Sequence, residues 1–350
     1  MIYDFCGSAA VQGSFHRKRQ LACTDSAAAR TKGDYALLIC ADGARHAKHG
    51  GPAAKLTVEF LSDRLLEVAE RALGKGSPAI MTDVIINTLI AARRHLEHAF
   101  PDASSDTLHC TLVACLLGPN HLCMIHLGDG FACAVQDRDA NYQFVSSEPE
   151  NADDLSTSFY LAELSWFKHL RVSILEGRFI FAACMTDGAQ ALFEEERGFA
   201  MRKLLEIASP SEPEGSQLAA YLDTALARLM SDDDKALCML RRPQADDYLE
   251  HLVKTKRELI AYPSAAALQH AAQRVSARPA FRLLTAGMVK ALRQRLGTGT
   301  SNRLGWYGLT LLICCAALFS FFISQQPQET EQLRAIKQLL EQSKKQGQNP

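Results

Sequence analysis

Residues 39–51 read Ile39-Cys40-Ala41-Asp42-Gly43-Ala44-Arg45-His46-Ala47-Lys48-His49-Gly50-Gly51. The apolar run 35–41 predicts a short buried strand. It ends at Asp42-Gly43, a pair that breaks a strand and can turn a carboxylate outward. A basic loop follows, and residues 52–69 predict a helix with a proline near its first turn. An Asp-Gly pair is more often only a turn, but a carboxylate beside an open glycine carbonyl is also a candidate ligand for a hard cation.

Carboxylates recur at strand ends further along the chain. Asp129 and Asp187 each follow an apolar run and precede a glycine, and Asp233 lies just before the apolar segment 236–240. Like charges in close approach raise the pKa of each other's carboxyl groups, and divalent cations relieve that conflict. Mg²⁺ or Mn²⁺ suits all-oxygen ligation, and a pair of ions can activate water for attack on phosphorus. The pattern therefore predicts a metal centre at one edge of a sheet core.

The remaining segments alternate without the regularity of a βαβ chain. Two consecutive helices, 52–69 and 82–100, argue against simple βαβ repetition. The other predictions are an edge strand in 1–12, a basic loop in 13–30, adjacent strands at 107–118 and 121–135, an irregular acidic region at 137–177, a strand at 179–185, and one or two helices in 201–229.

Composition indicates a folded protein whose overall charge does not favour binding to nucleic acids. The chain has 350 residues, of which 47% are hydrophobic and 22% charged, with a net charge of −1. Such a balance gives no overall attraction to nucleic acids. The 11 cysteines form no Cys-x-x-Cys pair, so we expect reduced core thiols and a cytosolic domain. No cleaved secretion signal is evident at the N-terminus.

The order, spacing and flanks of these segments resemble the metal-dependent protein phosphatase 2C family. They are most similar to a bacterial branch whose first motif reads Gly-x-Ser-His and then Cys-Gln-Asp, and the resemblance covers residues 10–242. It implies an α+β fold, an α-β-β-α sandwich in which two antiparallel sheets carry metals in a cleft at one end. It also implies hydrolysis of phosphoserine and phosphothreonine by a metal-bound water, with two Mg²⁺ or Mn²⁺ ions and a third, looser one.

The resemblance assigns roles by position. Asp42 would bridge both metals, and Gly43 would offer its backbone carbonyl. Asp187 and Asp233 would ligate the first metal, and Asp129 would help to hold the third. The residues expected to carry catalysis are therefore Asp42, Asp187 and Asp233.

The first motif, in the basic loop, departs from the family. Asp25 falls on its aspartate and would support the site through water, as a further member of the metal set. The preceding residue, where the family has a carboxylate or amide for the second metal, is Thr24. The phosphate-binding arginine has no unique match, so Arg19, Arg17 or His16 could take that role, and a bidentate arginine would do it best. The alternative is that this basic loop is only a solvated charge run.

The C-terminal third contains a predicted membrane anchor. Residues 304–324 are apolar and uncharged, with Trp306 and Tyr307 near one end, and as a helix they would span roughly 30 Å. More basic residues precede this run than follow it, which places the preceding domain in the cytoplasm. The predicted organisation is a phosphatase domain (1–242), a helical juxtamembrane region (243–303), a transmembrane helix (304–324) and a polar tail (325–350).

Together these features predict a single-pass membrane protein with a cytoplasmic, Mg²⁺- or Mn²⁺-dependent serine/threonine phosphatase domain that acts in bacterial signalling. Its expected partners are phosphorylated proteins, such as a serine/threonine kinase or the targets of one. Two alternatives remain open. Thr24 could leave the metal pair incomplete, giving a domain that only binds phosphoproteins, and the C-terminal helices could make the chain mainly an assembly scaffold.

Overall fold

The computed structural model describes residues 3–74, 77–138, 141–149, 158–195, 198–208 and 216–255. The strands in these residues are β1 (Phe5–Val11), β2 (Ser26–Lys32), β3 (Tyr35–Ala41), β4 (Leu112–Leu117), β5 (His121–Leu127), β6 (Phe131–Arg138), β7 (Asn141–Ser147), β8 (Arg171–Glu176), β9 (Arg178–Met185), β10 (Glu194–Glu195), β11 (Gly198–Phe199) and β12 (Lys235–Arg241). The helices are α1 (Ser14–Lys18), α2 (Gly50–Leu73), α3 (Pro78–Ala99), α4 (Trp166–His169), α5 (Asp187–Gln190), α6 (Met201–Ile207), α7 (Ser216–Leu222), α8 (Ala225–Met230) and α9 (Ala245–Lys254).

Two five-stranded antiparallel sheets form the centre of the described part of the chain. The first sheet has the order β1-β12-β9-β6-β7, and the second has the order β2-β3-β4-β5-β8. Helices α2 and α3 pack on the outer face of the second sheet, and α5 to α9 pack on the outer face of the first. The predicted class, two antiparallel sheets flanked by helices, is confirmed.

Small side chains fill the space between the two sheets. Cys40 from the second sheet meets Cys184 and Cys238 from the first, with Sγ–Sγ distances from Cys40 of 3.8 Å and 3.4 Å. The cysteines of the described residues are free thiols, and most are buried, as the sequence predicts. Strand β3 coincides with the predicted strand, and it is apolar throughout because it is covered on both faces.

The single strand predicted at 121–135 is wrong. The structure divides it into β5, which belongs to the second sheet, and β6, which belongs to the first. The chain crosses between the sheets at Gly128-Asp129-Gly130, where Gly128 has a φ of 102°. Both strands are buried, so the apolar pattern runs on through the crossing and does not reveal it.

Two regions predicted without regular structure contain strands. Strand β2 begins inside the predicted basic loop 13–30, which also holds α1, and ends beyond it at Lys32. Strands β7 and β8 lie inside the predicted irregular region 137–177. All three strands are at sheet edges, where side chains are partly exposed and the apolar signal is weak. Strand β1 is also an edge strand, as predicted, and the region 201–229 holds three short helices rather than one or two.

Little of the predicted C-terminal region falls within the described residues. Helix α9 lies at the start of region 243–303, whereas the predicted span 304–324 and the tail 325–350 lie outside the described residues. Among the helices that the structure describes, none has the length and apolar character that a bilayer crossing needs.

Gly188 allows two loops to approach closely at one end of the first sheet. A Cβ atom at this position would overlap the carbonyl oxygen of Asp234 and lie 3.1 Å from the Cβ of Asp233. The overlap is with backbone, so side-chain rotation cannot relieve it. We therefore expect Gly188→Ala to lower the free energy of unfolding by about 1–3 kcal/mol, measured by urea denaturation of the full chain in detergent.

A glycine without such neighbours provides the control for Gly188. Gly33 has a φ of 59°, and a Cβ there would meet nothing within 4 Å. Asparagine tolerates this conformation, so Gly33→Asn should cost less than about 1 kcal/mol. Equal losses in the two variants would contradict the steric explanation.

Candidate metal centre

The antiparallel order of the strands brings the predicted aspartates to one end of the sandwich. In the second sheet, Ser26 at the start of β2 pairs with Ala41 at the end of β3. This register places Asp25, which precedes β2, beside Asp42, which follows β3. The backbone of Asp42 is fixed by Thr111, whose Oγ1 accepts from the Asp42 N–H at 3.1 Å and whose own N–H donates to the Asp42 carbonyl at 2.9 Å.

The first sheet contributes three aspartates by the same geometry. Met185 at the end of β9 pairs with Phe131 near the start of β6 and with Leu237 near the start of β12. Asp187 follows β9, whereas Asp129 precedes β6 and Asp233 precedes β12. These carboxylates therefore lie at the same end of the first sheet. The predicted convergence of strand-end aspartates is what the structure shows.

Crowding perturbs the acidity of the grouped carboxyl groups. Burial and the charges of Asp25, Asp187 and Asp129 raise the pKa of Asp42 well above its usual range. Burial and the charges of Asp129 and Asp233 raise the pKa of Asp187 to about 7. Burial raises the pKa of Asp25 as well, although a 2.6 Å hydrogen bond from the hydroxyl of Thr186 opposes the rise. Without a cation, this group resists full ionisation.

The donor set fits a hard divalent cation. It consists of carboxylate oxygens, the ligands that Mg²⁺ and Mn²⁺ prefer. Oδ1 of Asp129 is buried, and within the described residues it has no hydrogen-bond partner, as expected for an oxygen that faces an ion. The backbone of Gly43 is held beside the group, since its N–H donates to the Thr24 carbonyl at 3.2 Å. Ligand roles for these residues remain predictions.

Asp234, which sequence reasoning did not single out, ties the N-terminal loop to this end of the sandwich. Its buried carboxylate accepts from the backbone N–H of Gly13 and of Thr24, each at 2.6 Å, and lies 2.7 Å from Nδ1 of His16. Burial alone would raise the pKa of Asp234, but these hydrogen bonds outweigh it and lower the pKa. The carboxylate therefore joins segments that are more than 200 residues apart in the chain.

The side chain of Lys235 holds the acidic loop, residues 231–234, in place. Its side chain is buried, and Nζ donates to the carbonyls of Ser231 and Asp233, each at 2.8 Å. The loop residues 231–234 are thus held from both sides, by Lys235 and by the contacts of Asp234.

The structure places the three candidate phosphate-binding residues differently from one another. His16 is buried against Asp234. Arg17 is exposed and forms a 2.8 Å ion pair with Asp223. Arg19 is exposed, with its guanidinium carbon 3.7 Å from the centroid of the Phe15 ring. Only Arg19 combines exposure with the absence of a carboxylate partner among the described residues.

Thr24 lies next to the aspartates, but its hydroxyl is directed away from a ligand role. Oγ1 donates to Oδ2 of Asp234 at 3.1 Å. Thr24 occupies the position where the family resemblance implies a ligand to the second metal. Its side chain instead helps Asp234 to hold the N-terminal loop.

Arg45 is a second residue of the site to which sequence reasoning gave no role. Its guanidinium pairs with Asp233 at 2.7 Å and lies over the Phe15 ring at 4.4 Å from the centroid. No local pattern reveals this pair, because the two residues are 188 positions apart. The run of aspartates 232–234 does show that two carboxylates there, Asp232 and Asp234, lie outside the predicted metal set.

Comparison with known proteins gives one family and several similar structures. The family model described as protein phosphatase 2C matches residues 12–228. The serine/threonine phosphatase Stp1 from Staphylococcus aureus is 14% identical, covering 68% of this chain and 94% of its own, with a TM-score of 0.46. The catalytic domain of the phosphatase PstP, in complex with two manganese ions, is 18% identical, covering 67% and 96%, with a TM-score of 0.46. Serine-threonine phosphatase 2C from Toxoplasma gondii is 13% identical, covering 69% and 96%, with a TM-score of 0.48. Among curated proteins, none matches the chain significantly.

Asp234→Ala should destabilise the protein strongly. The substitution leaves the buried N–H of Gly13, the partly buried N–H of Thr24 and the His16 ring without their acceptor, so the free energy of unfolding should fall by about 3 kcal/mol. Urea denaturation of the full chain measures the loss.

Asp223→Ala is the matched control for Asp234. Asp223 also pairs with two cationic side chains, Arg17 and Arg228, but it is exposed to solvent. Exposed ion pairs contribute about 0–1 kcal/mol, so this variant should change little. A loss at Asp234 no larger than the loss at Asp223 would show that the buried carboxylate does not hold the loop.

Proposed function

Because this chain belongs to the protein phosphatase 2C family, we propose that it is a working metal-dependent serine/threonine phosphoprotein phosphatase. The observation that carries the proposal is the convergence of Asp25, Asp42, Asp129, Asp187 and Asp233 at one end of the two sheets. Such a group of carboxylates is costly without cations, and it matches the chemistry of Mg²⁺ or Mn²⁺.

In this proposal Asp42, Asp187 and Asp233 hold two divalent ions together with the carbonyl of Gly43, and Asp129 contributes to a third. When bound, such ions lower the pKa of water to make a nucleophile and neutralise charge on the phosphoryl group. The chain itself supplies orientation. Thr186 holds Asp25 by a 2.6 Å hydrogen bond. The raised pKa of the grouped carboxyl groups favours their protonated form, so metal binding would displace protons.

Arg19 is our choice for the residue that binds the substrate phosphate. His16 pairs with Asp234 and Arg17 with Asp223, whereas the exposed Arg19 lies over the Phe15 ring and donates from Nη1 only to the Phe15 carbonyl, at 3.2 Å. A planar guanidinium can bind phosphate through two parallel hydrogen bonds. The substrates would be phosphorylated proteins, including a serine/threonine kinase or its targets.

A second candidate function is phosphoprotein binding without turnover. The specific observation in its favour is the Thr24 hydroxyl, which donates to Asp234, a residue outside the predicted metal set. With a weak second metal site the domain would keep its fold and lose its rate.

We further propose that the domain is tethered to a membrane and faces the cytoplasm. The support is the apolar sequence 304–324 and the excess of basic residues before it. A tether would raise the local concentration of membrane-bound substrates.

Asp42→Asn and Asp187→Asn should each abolish metal-dependent hydrolysis, because an amide cannot supply the anionic oxygen that the cations need. The measurement is hydrolysis of p-nitrophenyl phosphate and of a phosphothreonine peptide by the full chain in detergent, with Mn²⁺ and with EDTA. We expect a loss of at least about 100-fold with the fold intact by circular dichroism.

Asp223→Asn, an exposed aspartate away from the group, is the matched control and should retain its rate. Turnover that survives in Asp42→Asn would remove the site assignment. A folded wild-type chain without turnover at any Mn²⁺ concentration would favour the phosphoprotein-binding function.

Replacing Leu311 and Leu312, in the middle of the apolar run, by arginine should release the protein from membranes. A charged residue at the centre of a span costs about 3 kcal/mol, so two should prevent stable insertion. Membrane fractionation with carbonate washing measures the change. If the wild-type chain is found in the soluble fraction, the proposed tether is incorrect.

A further inference from the structure

Arg45 makes an unusually direct contact with a predicted metal ligand. It lies three residues after Asp42, in the loop before α2. Its Nη2 is 2.7 Å from Oδ2 of Asp233, and its Nε is 3.1 Å from Oδ1 of the same carboxylate. The guanidinium therefore grips both oxygens of Asp233, the strongest arrangement that an arginine and a carboxylate can form.

The carboxylate of Asp233 has little capacity left for another partner. Oδ1 also accepts from the backbone N–H of Asp234 at 2.9 Å. A carboxylate oxygen that already accepts two hydrogen bonds has used the lone pairs with which it would bind an ion. Oδ2 accepts only from Nη2 of Arg45 and keeps a lone pair, so an ion could bind there beside the charge of Arg45, whereas binding to both oxygens requires Arg45 to withdraw.

The charge of Arg45 is fixed and reaches beyond Asp233. Guanidinium stays protonated in proteins, so this side chain supplies a permanent positive charge to the aspartate group. Nη2 of Arg45 also lies 3.8 Å from Oδ1 of the neighbouring Asp232. Arg45 thus does part of the electrostatic work of a cation.

The neighbouring face of the site is altered in the same direction. Thr24 stands where the family resemblance places a ligand to the second metal, and its hydroxyl is bonded to Asp234. One side of the centre therefore lacks the ligand that the resemblance implies, while the other side carries a cationic side chain. A missing ligand and a nearby positive charge each lower the affinity of the site for divalent ions.

We propose that Arg45 is a positioning residue that acts through Asp233, pairing with this carboxylate as an internal cation with which a divalent ion must compete. The inference rests on the proposed metal-dependent function and adds a determinant of metal occupancy to it. Metal binding then competes with an internal ion pair, so the chain responds to a higher range of Mn²⁺ or Mg²⁺ concentration than its aspartates alone would require.

The test is a titration of the full chain in detergent with Mn²⁺, without substrate, in which binding is measured by isothermal titration calorimetry. Arg45→Gln removes the charge, and Mn²⁺ should bind about three- to tenfold more tightly at one site, as for loss of a partly exposed ion pair. Arg45→Lys keeps the charge and should stay close to the wild-type affinity. Arg228→Gln, which removes an exposed partner of Asp223, should leave Mn²⁺ binding unchanged.

The possible results separate clearly. Unchanged or weaker Mn²⁺ binding in Arg45→Gln overturns the proposal, and so does an equal gain in Arg45→Gln and Arg45→Lys, which would assign the effect to lost packing on Phe15. Binding by Arg45→Gln alone, with none by the wild type, supports it most strongly. Because no substrate is present, a chain without phosphatase turnover still gives a result, so failure of the proposed function is distinguishable from failure of this inference.

Discussion

Repulsion among carboxylates gathered at one end of a sandwich is the constraint that the surrounding structure has to meet. Burial and mutual charge raise the pKa of Asp42 and Asp187, so ionising the whole group costs free energy. The chain offsets part of that cost with its own groups. Thr186 donates to Asp25, and Arg45 pairs with Asp233. Divalent cations are the natural means of offsetting the rest.

The acidic loop before β12 connects the two ends of the domain. Asp233 faces the aspartate group, whereas the adjacent Asp234 faces inward and accepts hydrogen bonds from Gly13 and Thr24. Strand β12 also pairs with β1, so the same segment joins the edge strand β1 to the first sheet and anchors the N-terminal loop. Two neighbouring carboxylates thus have different surroundings: Asp234 holds the N-terminal loop, and Asp233 lies with the aspartate group. The site is complete only when distant segments of the chain have come together.

The proposed metal centre differs from the pattern that the family resemblance implies. Thr24 supports Asp234 instead of supplying a ligand oxygen, and Arg45 brings a fixed positive charge to Asp233. In the proposed centre, fewer anionic ligands and one internal cation would both weaken the binding of metal. In a phosphatase held at a membrane, weaker retention would make activity depend on metal supply as well as on substrate proximity.

From the sequence, the family resemblance implied the fold class, whereas local signals of buried strands and Asp-Gly turns predicted strand β3 and the group of strand-end aspartates. It did not reveal the edge strands β2, β7 and β8, whose half-exposed residues carry little apolar contrast, nor the crossing at Asp129. Only the tertiary structure assigned partners to Asp234 and Arg45. Their contacts link residues about 200 positions apart, and no periodicity or motif encodes which distant groups a packed sandwich brings within hydrogen-bonding distance.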